Sequence, residues 1–212
     1  MEAPVATLFD ASTSTYDEAE VHILNAAHRV FLRHGTSGAR MQQIANEAGT
    51  TKSSVHYYFR SKDRLADAVF KRALEESYAR FRASLNVEGP FEDTVRGLVA
   101  SNMEMIKDYP YLAGYIMTEL HQQPERAHQA AALIPGCREE IEAKLAAAIE
   151  RGEIRPTTPA EFSTDMLSLS LFPSIAEGFV RALAGLDEDG WEAMMADRVE
   201  HVTAFYLRAM RV

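Results

Sequence analysis

Residues 41–59, Met-Gln-Gln-Ile-Ala-Asn-Glu-Ala-Gly-Thr-Thr-Lys-Ser-Ser-Val-His-Tyr-Tyr-Phe, hold two helix-patterned segments joined by Gly49-Thr50-Thr51. An isolated helix shorter than about 12 residues is marginal in water. Each segment must therefore be held by burial against the other and against further helices. Ile44, Ala45 and Ala48 mark the inner side of the first, and Val55 and Phe59, four apart, that of the second. Ala45 is small where two helices must cross closely, and Gly49 turns the chain with φ > 0 at no steric cost. Thr51, Lys52, Ser53, Ser54, His56 and Tyr57 are left facing outward. These are short hydroxyls, a cation, an imidazole and a phenol, the groups used on phosphates and base edges. Packing alone gives a helix this short no reason for a wholly polar outer face. Insertion into a major groove does.

The rest of the chain is also patterned for helix, with no alternating stretch rich in Val, Ile and Thr that would propose a sheet. Thr15-Tyr16-Asp17-Glu18 has the form of a capping box and opens a helix carrying Ile23, Ala27, Val30 and Phe31 to about Gly35. Ser61 caps a long helix with Leu65, Val69, Phe70, Leu74, Tyr78, Phe81 and Leu85 on one side. Gly89-Pro90, Tyr109-Pro110, Pro124, the turn Gly152 to Pro156, the capping box Thr158-Pro159-Ala160-Glu161 and Gly185 to Gly190 punctuate the remainder. This spacing predicts an all-α chain of about nine helices. It divides into a flexible arm at 1–15, a helix-turn-helix domain at 16–62 and a larger helical bundle at 63–212.

A net charge of -9 argues at first against a nucleic-acid partner. Its distribution reverses that reading. Residues 1–64 are neutral, residues 65–212 hold the entire -9, and within 40–64 the balance is +3. A small basic patch on an acidic chain can hold DNA by one end. The single Cys137 excludes an intramolecular disulfide. Met1 to Thr15 has no basic start and no apolar run, and no stretch approaches the ~20 apolar residues of a membrane span. A cytoplasmic setting without membrane contact is expected.

The pattern Ile-Ala-x-x-Ala-Gly, then Lys52, an aromatic pair before Phe59, and Lys62 with Leu65, resembles the TetR family of bacterial transcriptional regulators over about residues 16–70. Gly152-x-Ile154-Arg155 is similar to the stretch that precedes that family's dimerisation helices. The resemblance implies groove contacts from Thr51, Lys52, Ser53, Ser54 and Tyr57. It also implies phosphate contacts from His56 and Lys62, and a base or phosphate contact from Gln42. Three positions depart from the family pattern. Arg40 stands where Ser or Thr commonly caps the first motif helix, and is a further candidate for phosphate. Ser53 replaces a frequent Gly and His56 a frequent Tyr.

Two late helices are apolar over a wide arc. One carries Phe162, Met166, Leu169 and Val180, and the other Trp191, Met195, Val199, Val202 and Tyr206. Arcs this wide predict burial both within the chain and against a second copy. Two short reading helices set about 34–36 Å apart would read a palindrome, which one alone could not do specifically. Between them, Met103, Tyr115, Met117 and Glu119, with Phe70, Tyr78, Phe81, Phe172 and Phe179, suit an adaptable apolar cavity with a few polar handles. In the family this region takes an effector. Pro173 should kink its helix. His121, Glu125 and His128 are spaced by four and three, but Pro124 interrupts them, so neither a metal nor a cofactor is expected.

The reading is a homodimeric, effector-released repressor of a palindromic operator, with a small hydrophobic ligand. One rival is an enzyme using Glu119 and His121. It fails because residues two apart do not share a helical face and no nucleophile or phosphate-loop motif is present. The other is a helical adaptor that binds a protein and no DNA.

Overall fold

The computed structural model describes residues 8–9, 16–86, 88–134 and 136–211. Twelve helices and no strand are found among them. In order they are α1 (Glu18–Gly38), α2 (Met41–Glu47), α3 (Lys52–Phe59), α4 (Lys62–Leu85), α5 (Phe91–Asp108) and α6 (Leu112–Gln122). The rest are α7 (Glu125–Leu133), α8 (Cys137–Glu150), α9 (Pro159–Ile175), α10 (Glu177–Ala184), α11 (Glu188–Ala196) and α12 (Arg198–Met210). The all-α class holds. The count exceeds about nine because three expected helices each divide in two, giving α7 and α8, α9 and α10, and α11 and α12.

The described residues of Met1–Glu76 and Asp108–Leu133 form one compact unit, and those of Ser77–Lys107 and Ile134–Val212 a second. In the first, Asp17 caps α1. Its Oδ1 accepts from Glu20 N at 2.8 Å, while Asp17 N donates to Glu20 Oε2 at 3.0 Å. The box therefore sits two residues beyond the one expected at 15–18, because Asp17 and Glu20 offer the same spacing with an anionic cap. Thr15 lies outside the described residues. Leu8 and Phe9, expected in a loose arm, are instead buried. Phe9 N donates to Asn25 Oδ1 and Asn25 Nδ2 returns to Phe9 O, both at 3.0 Å.

Ile23, Ala27, Val30 and Phe31 of α1 are buried as their spacing predicts, together with Ile44, Ala45, Val55 and Phe59. Gly35, at φ 64 and ψ 161, breaks α1 near its expected end and lets one more turn run to Gly38. Glu47 fastens α2 to α1 by accepting from Arg29 at 2.6 Å and Arg33 at 3.2 Å. The Arg29 hydrogen bond, helped by Arg33, holds the Glu47 carboxyl below the usual carboxylate range.

In the second unit Phe91, Phe162 and Tyr206 pack in a chain, the first pair tilted and the second edge-on, with centroids 5.7 and 6.0 Å apart inside an aliphatic core. The turn at 152–155 closes two helix ends. Glu153 Oε2 accepts from Phe91 N at the start of α5 (2.5 Å), and Arg155 N and Nε donate to the Met210 and Ala209 carbonyls at the end of α12 (2.9 and 3.1 Å). The α9–α10 pair bends by 80° just after Pro173. Proline has no N–H for the carbonyl four residues back. That carbonyl, Leu169 O, accepts instead from Arg198 Nη2 at 2.6 Å and Nε at 3.2 Å. Among the described residues no single helix is long and apolar enough to cross a membrane.

Candidate nucleic-acid interface

Helix α3 is built from its cap outward. Thr51 Oγ1 accepts from Ser54 N at 3.1 Å and lies 3.0 Å from Ser54 Oγ, which fixes the start of α3. Val55 and Phe59 hold the helix down, with 0% and 6% exposure. Lys52, Ser53, His56 and Tyr57 are all exposed, Tyr57 at 73%. The Tyr57 ring stands edge-on to Tyr58 at 5.2 Å, so this large exposed aromatic is braced rather than loose. Gly49, at φ 59, makes the turn between the two helices.

Several candidates prove to be partly engaged. Gln42 Nε2 donates to Asn46 Oδ1 at 2.9 Å, which orients the amide along the exposed side of α2. At Arg40 the cap is half made. Gln43 Oε1 accepts from Arg40 N at 2.8 Å, but an arginine side chain has no acceptor with which to reciprocate. His56 Nδ1 lies 3.1 Å from Arg60 O. A carbonyl only accepts, so Nδ1 is the donor and Nε2 is left facing outward. Lys62 Nζ donates to Ser37 O and Ala39 O, both at 3.1 Å, and so ties the start of α4 to the end of α1. Two of its three donors are thereby taken, which spacing along the chain could not show.

The expected effector residues divide between the two units. In the first, Glu119 is fully buried and accepts from Arg126 Nη1, while Arg126 Nη2 reaches Asp67 at 2.8 Å and the guanidinium lies 5.0 Å from the Phe70 ring centroid. One Glu119 oxygen is thus paired with Arg126, while its Oε1 is buried without a hydrogen-bond partner among the described residues. Phe70 is spent under that cation. Tyr115 is buried edge-on to His28, with centroids 6.4 Å apart. Burial, with Arg29 adding to it, pushes the His28 imidazole down to about 4, and burial pushes the Tyr115 hydroxyl above its ordinary range. Met117 is 41% exposed. A cleft of about 970 Å³ in this unit runs along α1 beside Thr50, Ser54 and Tyr58, away from these residues.

In the second unit Phe81 and Met103 are half-buried at the edge of the core, and Tyr78 stacks on Phe81 at 6.5 Å. Phe172 and Phe179, expected as cavity walls, are 53% and 65% exposed. The expected interface set lies largely inward. Phe162, Met166, Trp191, Val202 and Tyr206 are buried within this chain, and Leu169, Val180, Met195 and Val199 are half-buried. The large apolar side chains left exposed in this unit are Leu167, Phe172, Ile175, Phe179, Leu183 and Phe205, all more than 40% exposed. Helices apolar on nearly every side leave the choice of inner face to tertiary packing, and the bend after Pro173 turns α10 out of the line of α9.

Residues 23–69 match the family model of bacterial regulatory proteins of the tetR family. An HTH-type transcriptional regulator of Mycobacterium tuberculosis (strain CDC 1551), MT1294, is 30% identical over 169 residues, 76% of this chain and 79% of that protein. The regulator RutR of Escherichia coli K12 is 28% identical over 138 residues, and the match spans 65% of its length and of this chain. A TetR transcriptional regulator from Chloroflexus aurantiacus superposes with a TM-score of 0.70 at 20% identity, over 92% of this chain and 97% of its own. These relatives are transcription regulators and not enzymes. The motif at 41–59, the twelve-helix architecture and a relative matched over most of both chains agree that this protein belongs to the TetR family of bacterial transcriptional regulators.

Proposed function

We propose that the protein is a cytoplasmic homodimeric repressor that binds a palindromic operator in double-stranded DNA and is released by a small hydrophobic effector. The observation that carries this reading is the α3 surface, a capped helix held by Val55 and Phe59 with Lys52, Ser53, His56 and Tyr57 exposed. Residues 16–62 read the DNA. Thr51 and Ser54 orient the helix start against the groove, and Gln42 and Arg40 reach the flanking backbone. Lys62 has one remaining donor for phosphate.

Residues 63–212 serve dimerisation and effector binding. The apolar face formed by Leu167, Phe172, Ile175, Phe179, Leu183 and Phe205 is more than one chain leaves open to water without use, and a second copy covers it. Tyr78, Phe81 and Met103 supply the adaptable walls for the effector. An effector releases DNA by favouring the arrangement in which the two reading helices no longer match both half-sites.

Fluorescence anisotropy with labelled fragments flanking the protein's own gene tests this, repeated over several salt concentrations and with Tyr57→Ala. The expected result is saturable binding of two chains to one fragment, steeply salt-dependent and lost in the variant. Failure to bind any duplex at low salt would overturn the reading.

A further inference from the structure

We propose that Arg60 is a phosphate-binding residue of the DNA interface, presented by a strained turn. The proposal rests on the DNA-binding reading of α3.

Arg60 is the sole non-glycine residue with positive φ among the described residues, at φ 59 and ψ -45. It is the middle of a three-residue turn, with Ser61 N donating to Phe59 O at 2.5 Å. This is the γ-turn of the strained hand, in which the central residue has φ near +75° and ψ near −65°. Arg60 N also closes α3 by donating to His56 O at 2.9 Å, and Arg60 O accepts a hydrogen bond from His56 Nδ1 at 3.1 Å. The backbone of Arg60 is therefore fully committed to ending the reading helix and pinning the His56 ring. Glycine would do this without a Cβ penalty. A side chain at such a position works against folding, and sites of this kind mark functional surfaces.

The side chain itself is exposed, and its guanidinium has no acidic or carbonyl partner among the described residues. Its neighbour Lys62 spends two donors on Ser37 O and Ala39 O. At the α3–α4 turn Arg60 is therefore an uncommitted cation. It lies one turn along α3 from His56 and close to Tyr57 in sequence, and its planar fork suits a phosphate better than an ammonium does. A phosphate contact there sets the register of the reading helix without carrying sequence information.

The test compares the full-length wild type with Arg60→Gly and Arg60→Lys. Each is titrated into a duplex selected from a random pool by the wild type and into an arbitrary 30-base-pair duplex. Thermal melts are recorded in parallel. Glycine relieves the turn, so Arg60→Gly should raise Tm by about 2–4 °C, the shift expected for roughly 1 kcal/mol in a chain this size. The same variant should bind both duplexes more weakly, by about fivefold per head at 0.15 M salt, with the log–log salt slope reduced by about 0.9 per head. Arg60→Lys should keep the slope. Opposite signs on stability and binding separate a contact residue from a structural one. An Arg60→Gly protein with unchanged slope and affinity overturns the proposal while leaving DNA binding intact. A wild type that binds neither duplex overturns the underlying reading instead.

Discussion

Replacing Glu119 by glutamine removes one negative charge from inside the first unit and leaves everything else in place. Glu119 is fully buried and Arg126 is 2% exposed, so the guanidinium depends on that carboxylate. Its second partner, Asp67, is 58% exposed and screened by water, and such rim pairs contribute about 0–1 kcal/mol. The Phe70 ring, 5.0 Å away, adds roughly 1–2 kcal/mol for a desolvated cation. Neither replaces the buried counter-charge. Breaking a buried ion pair from one side costs about 3–5 kcal/mol. Glutamine keeps one hydrogen bond, so the lower end applies, about 3 kcal/mol. At roughly 2–4 °C per kcal/mol, Tm should fall by about 6–12 °C. Urea unfolding of the full-length protein at neutral pH gives the same quantity from the midpoint at constant m-value. The double variant Glu119→Leu/Arg126→Met removes both charges at similar volume and should lie within about 1 kcal/mol of the wild type or above it. A Glu119→Gln protein within about 0.5 kcal/mol of wild type, or a double variant as unstable as the single, would refute the reasoning.

Arg198→Met should cost about 1–3 kcal/mol in urea unfolding, because the Leu169 carbonyl freed by Pro173 then has no donor. Phe179→Glu with Leu183→Glu, on two of the most exposed apolar positions, should convert a dimer to a monomer by analytical ultracentrifugation with the circular dichroism unchanged. Glu47 has a depressed carboxyl pKa. Its contribution to stability is present above the unfolded value and is lost as pH falls through the folded one. The stability difference between wild type and Glu47→Gln should therefore be constant at neutral pH and shrink once pH drops below about 4.

Helix α3 was legible as a structure because every local signal agreed. Thr51 is a good cap, Gly49 suits its positive φ, Val55 and Phe59 share a face, and nothing on the outer side is apolar. Lys62 and Glu119 have partners that the sequence could not show, for one common reason. Their partners, Ser37 and Ala39 for one and Arg126 for the other, come from elements whose approach only the folded chain shows. Arg60 was hidden differently. A positive φ at an arginine has no sequence signature, since the residue type argues against it.

Pro173 shows how a legible residue can still leave its consequence out of reach. Its presence predicts a bend, and a bend comes just after it. The effect of that bend depends on Arg198, twenty-nine residues beyond Leu169, which takes the carbonyl that proline leaves unpaired. With that carbonyl satisfied the bend costs little and α10 leaves the line of α9. Phe179, beyond the bend, is exposed, and so is Phe172, one residue before Pro173. Phe162 and Met166, before the bend, stay in the core. Within α9 itself exposed Leu167 and Phe172 alternate with buried Phe162, Met166 and Leu171, so the helix is apolar on more than one side, and beyond the bend α10 adds Phe179 and Leu183 to the exposed set.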